Sequence, residues 1–435
     1  MQTEMLSTVG LAFHPGPIDR DPPRRVAIFR PLGLEGLLTA TPALRAIRTA
    51  LPAAEVTYIG DRESGEVVGR FTPYIDDFML CPAFPGLHTG PGDAEAVLTF
   101  LQQAQSRRFD LAIQLHGCGL ISNPLCALLG ARHTAGFYLR GQFCPDPERF
   151  LIYPWHLPEV RRPLLLLEAL DIPAQGEDLE FPLQSRDLEL RRQVKQAYGL
   201  QTLEYACLQP ATSSADGVWP LERFAALADE LKEREVPVVL IGRRAEPELT
   251  RQVASAMRTA CVDLGDQLPI GVAAALIAHA RFLISCGGAL SRAAEALGVP
   301  QFVLQKETSD RNELADSITR RVITWAGLAT PEMIVQELLR FGPQVGPRAD
   351  TPQPAQEKAE KVLQPSQARR AIRAGASIHR RRPPTGLQRC LPLGIQGIRP
   401  DAQVHDRCPL ELLRGGAQRH QTLGLVDADQ LPRDG

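Results

Sequence analysis

The sequence predicts two α/β units in tandem, each a parallel sheet covered by helices on both faces. Three observations predict it. From Arg25 onward, near-continuous apolar runs of strand length alternate with amphipathic helical ones, the pattern of a parallel sheet that is buried on both sides. The alternation breaks once, in a polar stretch from Gln175 to Asp187, and then restarts. A chain of 435 residues is also too long for a single growing core, so a division into two is the expected arrangement.

In the first unit the elements follow in order. The strand "RRVAIFR" leads into a loop with Gly33 and Gly36, and a helix begins at Thr41-Pro42 and continues through "ALRAIRTALP". Then come the strand "EVTYIG", a helical stretch from Glu63 to Arg70, the short strand "DFML" and the helix "DAEAVLTFLQQAQSRR". "FDLAIQLHG", the helical "ISNPLCALLGA" and "HTAGFY" complete the regular part. An irregular passage with aromatic and proline residues, Leu139 to Pro158, precedes the helix "EVRRPLLLLEALDIP".

The second unit opens with the strand "YACLQP" and the helix "PLERFAALADELKERE". It continues through "VPVVLIG", the helix "EPELTRQVASAMRTA", the short strand "CVDLG" and the helix "PIGVAAALIAHA". "RFLISCGG", "LSRAAEALG", "PQFVLQ" and the helix "TPEMIVQELLRF" end it, and Pro220 and Pro331 stand in first turns, where a proline is tolerated. The expected division is therefore a flexible start (1–24), a first domain (25–175), a second domain (176–341) and a tail (342–435). Ligands of such sheets gather at the carboxyl ends of the strands, in the cleft between the units.

The tail is rich in Pro, Arg, Gln, Gly and Ala, a composition that buries too little apolar surface to offset the ordering of the chain. Residues 343–435 hold 15 Lys/Arg against 9 Asp/Glu, although the whole chain has a formal net charge of -2. The body is thus acidic and the tail basic; the balance excludes bulk attraction to nucleic acid, and no specific nucleic-acid partner is expected. The nine cysteines include no CxxC pair, and several lie in apolar elements where a thiol acts as a small hydrophobe, which suits a reducing cytoplasm. The first two dozen residues lack the basic start and apolar stretch of a signal peptide. The apolar runs fall well short of the ~20 residues that span a bilayer.

Four places can carry chemistry. In "RPLGLEGLLTATPALRAI" the glycines permit tight turns and close approach of the backbone to a ligand; their spacing does not match GxGxxG, which disfavours a nicotinamide or flavin site. Glu35 is the loop's only acid, either a solvent-exposed carboxylate or a general base at the cleft mouth. His116, just beyond "LAIQL", either contacts a ligand hydroxyl or phosphate or satisfies the end of the sheet. In "LQPATSSADGVWP", Thr212, Ser213 and Ser214 can hold a phosphate through hydroxyls and loop amides, while Trp219 is expected to pack the following helix. In "LISCGGALSRAAEALG", Gly287 and Gly288 expose the amides at the positive end of a helix containing Ser291 and Arg292. Arg292 either adds charge toward a diphosphate or points into solvent, and Lys306 is the nearest other cation. No His/Cys/Asp cluster has metal-ligand spacing, so no metal is expected.

Taken together, "VAIFRPLGLEGLLTATPALRAIRTALPAAEVTYIG", "RRFDLAIQLHG", "WPLERFAALADEL", "VVLIGRRAEPEL" and "AAALIAHARFLISCGGALSRAAEALGVPQFVL" resemble glycosyltransferase family 9, the ADP-heptose:lipopolysaccharide heptosyltransferases. The resemblance covers about 25 to 341. It implies a GT-B fold of two facing Rossmann-like domains, to which the composition adds a disordered C-terminal tail, with no cofactor and an inverting, metal-independent transfer of a heptose-like sugar. The implied donor is an ADP-sugar or another nucleotide-sugar, and the acceptor lipopolysaccharide or another envelope glycan or glycolipid. The implied location is cytoplasmic or peripheral at the inner membrane face.

The resemblance also marks departures. The family's G-I-G-D loop is here Gly33, Leu34, Glu35 and Gly36, so the acid of that motif falls on Gly36 and Glu35 becomes the substitute base. The D-S-G-P-M-H segment places Gly287, Gly288 and Arg292 where the family keeps Asp, Ser and His. Glu246 matches the family's acidic residue after the glycine of "GGPEE"-like segments, where the resemblance implies a ribose contact, and Lys306 stands where the family keeps glycine or proline. A transferase with donor contacts at Thr212, Ser213, Glu246, Gly287, Gly288, Ser291, Arg292 and Lys306 is the leading expectation. A catalytically degenerate relative serving as a binding or scaffold protein in polysaccharide assembly is the alternative, and a nucleotide-sugar 2-epimerase the third.

Overall fold

The computed structural model describes residues 22–87, 92–210, 219–242, 247–265, 268–306, 320–325 and 330–341. The expected tail lies outside the described residues, as does all of the expected flexible start before residue 22. Two six-stranded sheets organise what is described, and every strand pair in both is parallel.

The first lobe contains β1 (Arg25–Phe29), β2 (Glu55–Gly60), β3 (Asp77–Leu80), β4 (Leu111–Gln114), β5 (His133–Tyr138) and β6 (Phe150–Ile152), in the order β3-β2-β1-β4-β5-β6. Its helices are α1 (Gly33–Thr39), α2 (Thr41–Ala50), α3 (Arg62–Val67), α4 (Ala94–Ser106), α5 (Ser122–Leu128) and α6 (Arg161–Glu168). After α7 (Ser185–Tyr198), the second lobe contains β7 (Ala206–Gln209), α8 (Leu221–Glu233), β8 (Val238–Leu240), α9 (Pro247–Ala256), β9 (Val262–Asp263) and α10 (Ile270–Ala278). It ends with β10 (Phe282–Ser285), α11 (Ala289–Ala296), β11 (Gln301–Lys306), β12 (Arg320–Trp325) and α12 (Pro331–Phe341), its sheet running β12-β11-β10-β7-β8-β9.

Both sheets are wound from the centre outward and then resumed on the other side of the first strand. The strand order therefore reverses between β1 and β4 in one lobe and between β7 and β10 in the other. Helices on the two sides of such a reversal diverge, which opens a crevice at the carboxyl ends of the two strands. Strand burial accounts for the sequence pattern: β4, β7 and β10 are buried at every position.

Four features differ from the sequence expectation. The stretch expected as a loop around Gly33 and Gly36 is the helix α1. Two glycines weigh against a helix by roughly 1 kcal/mol each, but packing reverses the preference: a Cβ on Gly36 would stand 2.3 Å from Leu32 Cβ, so only glycine lets this turn close. The polar stretch after Gln175 gives way to α7, in which only Asp187 is buried. A capping box between Gln184 and Asp187 starts that helix, and Gly199 in the left-handed region stops it; with almost no apolar stripe to bury, it carries little periodic signal. The short edge strand β6 and the strand β12 were also not apparent from the sequence pattern.

The connecting passage itself is fastened to the first lobe. Arg45 donates to the carbonyls of Gln175 and Asp178, each at 3.1 Å, and the Glu180 amide donates to Thr41 Oγ1 at 3.1 Å. Tyr74 donates to Glu180 at 2.8 Å. Phe181 is fully buried beneath the Arg70 guanidinium, which also pairs with Asp187.

Candidate functional site

In the second lobe, β10 ends at the buried Ser285, and the chain turns through Gly287 (φ 98°) and Gly288 (φ 86°) into α11. Both angles lie where a side chain is strained, so glycine is required here. No side chain caps α11 at Gly288. A Cβ on Gly288 would meet nothing within 4 Å, and one on Gly287 only Val303 Cγ1 at 3.8 Å. The first-turn amides of a helix have no partner within the helix; here they stand at the reversal between β7 and β10 with no side-chain cap among the described residues, an arrangement suited to an anion.

Beyond that turn the sequence expectation divides. Ser291 is fully buried and donates through Oγ to Gln301 Oε1 at 2.6 Å, while Gln301 Nε2 donates back to the Ser291 carbonyl at 3.0 Å. Its hydroxyl thus binds the sheet and is not presented to the crevice. Arg292 neither points into solvent nor stands over the glycine turn with its charge unmatched. It is 4 % exposed and lies among three carboxylates: Glu295 (3.1 Å), Glu35 (3.3 Å) and Glu159 (3.6 Å). Burial works against its charge, but the carboxylates Glu35, Glu159 and Glu295 outweigh it and hold the guanidinium protonated.

Two of those carboxylates come from the first lobe. Glu35 lies in the first turn of α1, which packs directly against α11, and its carboxylate stays partly exposed beside Arg292. Glu159 was not apparent in the sequence, where it is one acid in an irregular passage. Its partner Arg30, at the carboxyl end of β1, was equally overlooked. Arg30 is 3 % exposed; it donates to the Gly36 carbonyl at 2.7 Å, to Thr39 Oγ1 at 2.8 Å, to the Leu115 carbonyl, and to Glu159 Oε1 at 2.5 Å. Desolvation pushes the Glu159 carboxyl up, yet Arg30, Arg292, Arg162 and the Thr39 hydroxyl together bring it below its ordinary value. The available signal was a charged residue closing an apolar strand, as Arg30 closes "RVAIF".

The other expected residues are placed as follows. His116 is buried at the end of β4, edge-on to Phe29 with ring centroids 6.4 Å apart. Its carbonyl accepts from Gln114 Nε2 at 2.7 Å and Ser122 Oγ at 2.9 Å. Trp219 is fully buried and edge-on to Phe224 at 5.0 Å, as a packing residue of α8 should be. Thr212, Ser213, Ser214 and Glu246 lie outside the described residues. Lys306 ends β11 opposite Trp325, and its side chain lies outside them too. Among the described residues no group of three or more His, Cys, Asp or Glu is placed to hold a metal ion, and no helix is long and apolar enough to cross a membrane.

Comparison with known proteins places this geometry. The family model described as glycosyltransferase family 9 (heptosyltransferase) matches residues 97–322. No curated protein sequence matches the chain. Among solved structures, the chain is similar to the glycosyl transferase family 9 from Veillonella parvula DSM 2008, at 17% identity and a TM-score of 0.60 over 73% of this chain and 97% of that one. It is also similar to E. coli ADP-heptose lps heptosyltransferase II, at 17% identity and 0.57 over 73% and 98%. A third likeness is to E. coli heptosyltransferase WaaC with ADP, at 17% identity and 0.54 over 73% and 97%. At such identities these likenesses establish a shared fold.

Proposed function

Because the chain belongs to glycosyltransferase family 9, we propose that it is a nucleotide-sugar-dependent glycosyltransferase whose donor diphosphate meets the amino end of α11 at Gly287 and Gly288. One observation carries this reading: the glycine turn after β10 leaves that helix end without a side-chain cap among the described residues, at the reversal between β7 and β10. In the proposed reaction the acceptor hydroxyl attacks C1 of the donor sugar from the face opposite the diphosphate. The new C1–O bond forms as the bond to the diphosphate breaks, and the hydroxyl proton passes to Glu35. The α11 amides take up the charge that grows on the departing nucleotide diphosphate. No step in this scheme is assigned to a metal.

The donor we infer is an ADP-sugar or another nucleotide-sugar carrying a heptose-like sugar, and the acceptor is lipopolysaccharide or another envelope glycan. Work on such an acceptor would place the protein on the cytoplasmic side, in peripheral contact with the inner membrane. Thr212, Ser213, Glu246 and Lys306 remain proposed donor contacts. Arg292 is given a different part, because its charge is already matched by protein carboxylates.

A second reading, a degenerate relative that binds without transfer, is favoured by a separate observation: Glu35 Oε1 is engaged with Arg292 Nε at 3.3 Å, a contact that holds a base but also occupies it. Incubation with ADP- and UDP-sugars and isolated envelope glycan separates the two. The first reading expects release of nucleotide diphosphate, reduced about 100-fold or more in Glu35→Gln, the scale on which loss of a general base acts. Unchanged release in that variant removes Glu35 from the reaction. Calorimetric binding of ADP or UDP without any turnover favours the second reading.

A further inference from the structure

Where α1 meets α11, apolar and ionic contacts join the lobes at the same place. Leu34, Leu37 and Leu38 of α1 belong to one continuous buried cluster with Ala293 and Ala296 of α11. Above that cluster, Arg292 extends from the second lobe to Glu35 and Glu159 of the first, while Glu295, one turn further along α11, takes its remaining edge. Glu159 in turn holds Arg30 with its other oxygen at 2.5 Å. A planar guanidinium can serve three acceptors in fixed directions; an ammonium group cannot reproduce that fork.

We propose that Arg292 is an interlobe latch: it fixes α1 against α11, so that this corner of the cleft moves as one body. The latch stands whether or not the chain transfers a sugar, since it rests on Arg292 and its cross-lobe partners and not on the glycine turn. Its physical basis is that ionic and apolar contacts coincide there. With Arg292 in place both lobes' carboxylates are compensated; separation of the lobes would break its contacts to Glu35 and Glu159 together with the apolar seam beneath them. Any opening of the cleft therefore occurs away from α1 and α11.

Hydrogen exchange of the full chain, resolved by peptide, tests this. In Arg292→Gln the amides of α1, which is in the opposite lobe from the substitution, are expected to exchange about tenfold faster, because they are released into local opening. In Glu295→Gln, which removes only the same-lobe partner, α1 is expected to stay within about twofold of the parent. Unchanged α1 exchange in a folded Arg292→Gln protein overturns the proposal. If that variant does not fold, Glu35→Gln decides the matter from the partly exposed side. Faster exchange in α11 supports the latch, and unchanged exchange there overturns it.

Discussion

The two crevices of this molecule are built on the same strand order and end in opposite states. At the reversal between β1 and β4 the corner is filled by protein. Arg30 spans it, bonding the Gly36 and Leu115 carbonyls, Thr39 and Glu159, and Asp61 Oδ2 accepts from the Gly33 amide at 2.6 Å. At the reversal between β7 and β10 the chain turns through Gly287 and Gly288, and no side chain among the described residues caps the helix. Topology alone thus provides two candidate sites, and the side chains decide which can receive a ligand. The first commits the Arg30 guanidinium and the Gly33 amide to protein partners; in the second, no side chain among the described residues caps the amino end of α11.

The sharpest way to break this contrast is to empty the filled crevice. Arg30→Met keeps much of the volume and removes the donors, which leaves Glu159 with only Arg292 and Thr39 and takes a donor from each of two main-chain carbonyls. Removal of one member of a buried charged set costs roughly 3–5 kcal/mol, so urea unfolding is expected to show the largest loss of any substitution considered. A loss below about 1 kcal/mol would mean that water replaces Arg30 readily and that the corner is not held as described. The converse change acts on the other crevice. Gly288→Ala meets no atom within 4 Å, yet it forces a side chain onto φ 86° and ψ −168°, a region essentially confined to glycine and costing about 1–3 kcal/mol. The expected outcome is a moderate loss of stability together with loss of ADP binding by calorimetry, because relief of the strain turns the amides away. Full ADP binding by this variant would place the diphosphate elsewhere.

How much of this was legible follows the same division. The alternation of apolar strands and amphipathic helices is a local property of sequence, and it revealed the two sheets and the glycine turn after "FLIS" because glycine at a strand-to-helix junction has a direct conformational meaning. α1 was not legible: two glycines argue locally against a helix, and only the Leu32 and Arg30 side chains packed over Gly36 explain it. Arg292 was legible as a cation near the site but not in its role. Its partners are 257 and 133 positions away in sequence, at Glu35 and Glu159, and no periodicity relates residues that a fold brings together from separate lobes. Ser291 shows the same limit from the other side, since the choice between crevice and sheet depended on Gln301.

The smallest expected effect sharpens the comparison by asking what kind of force holds one acid in each lobe, the half-buried Glu159 and the buried Asp229. Glu159 in the first lobe is held below the ordinary glutamate value of 4.5, against desolvation, chiefly by the charges of Arg30 and Arg292. Asp229 in the second lobe is also held low against desolvation, but by hydrogen bonds: the Arg258 amide at 3.0 Å, the Thr259 amide at 2.9 Å and Thr259 Oγ1 at 2.7 Å. Each folded-state value lies below the unfolded one, so the folded form binds fewer protons than the unfolded chain. The stabilisation is complete above the unfolded carboxyl range and drains away as pH falls through the folded value. Urea midpoints measured from pH 7 downward are expected to fall below about pH 4.5. Glu159→Gln removes its share of that slope, and Asp229→Asn removes the other share. Because a local hydrogen-bond set depends less on distant charge than an ion cluster does, Arg292→Gln is expected to weaken the Glu159 contribution and leave the Asp229 contribution in place. Equal loss of both would show that the two acids answer to a common field and not to the separate constructions of their lobes.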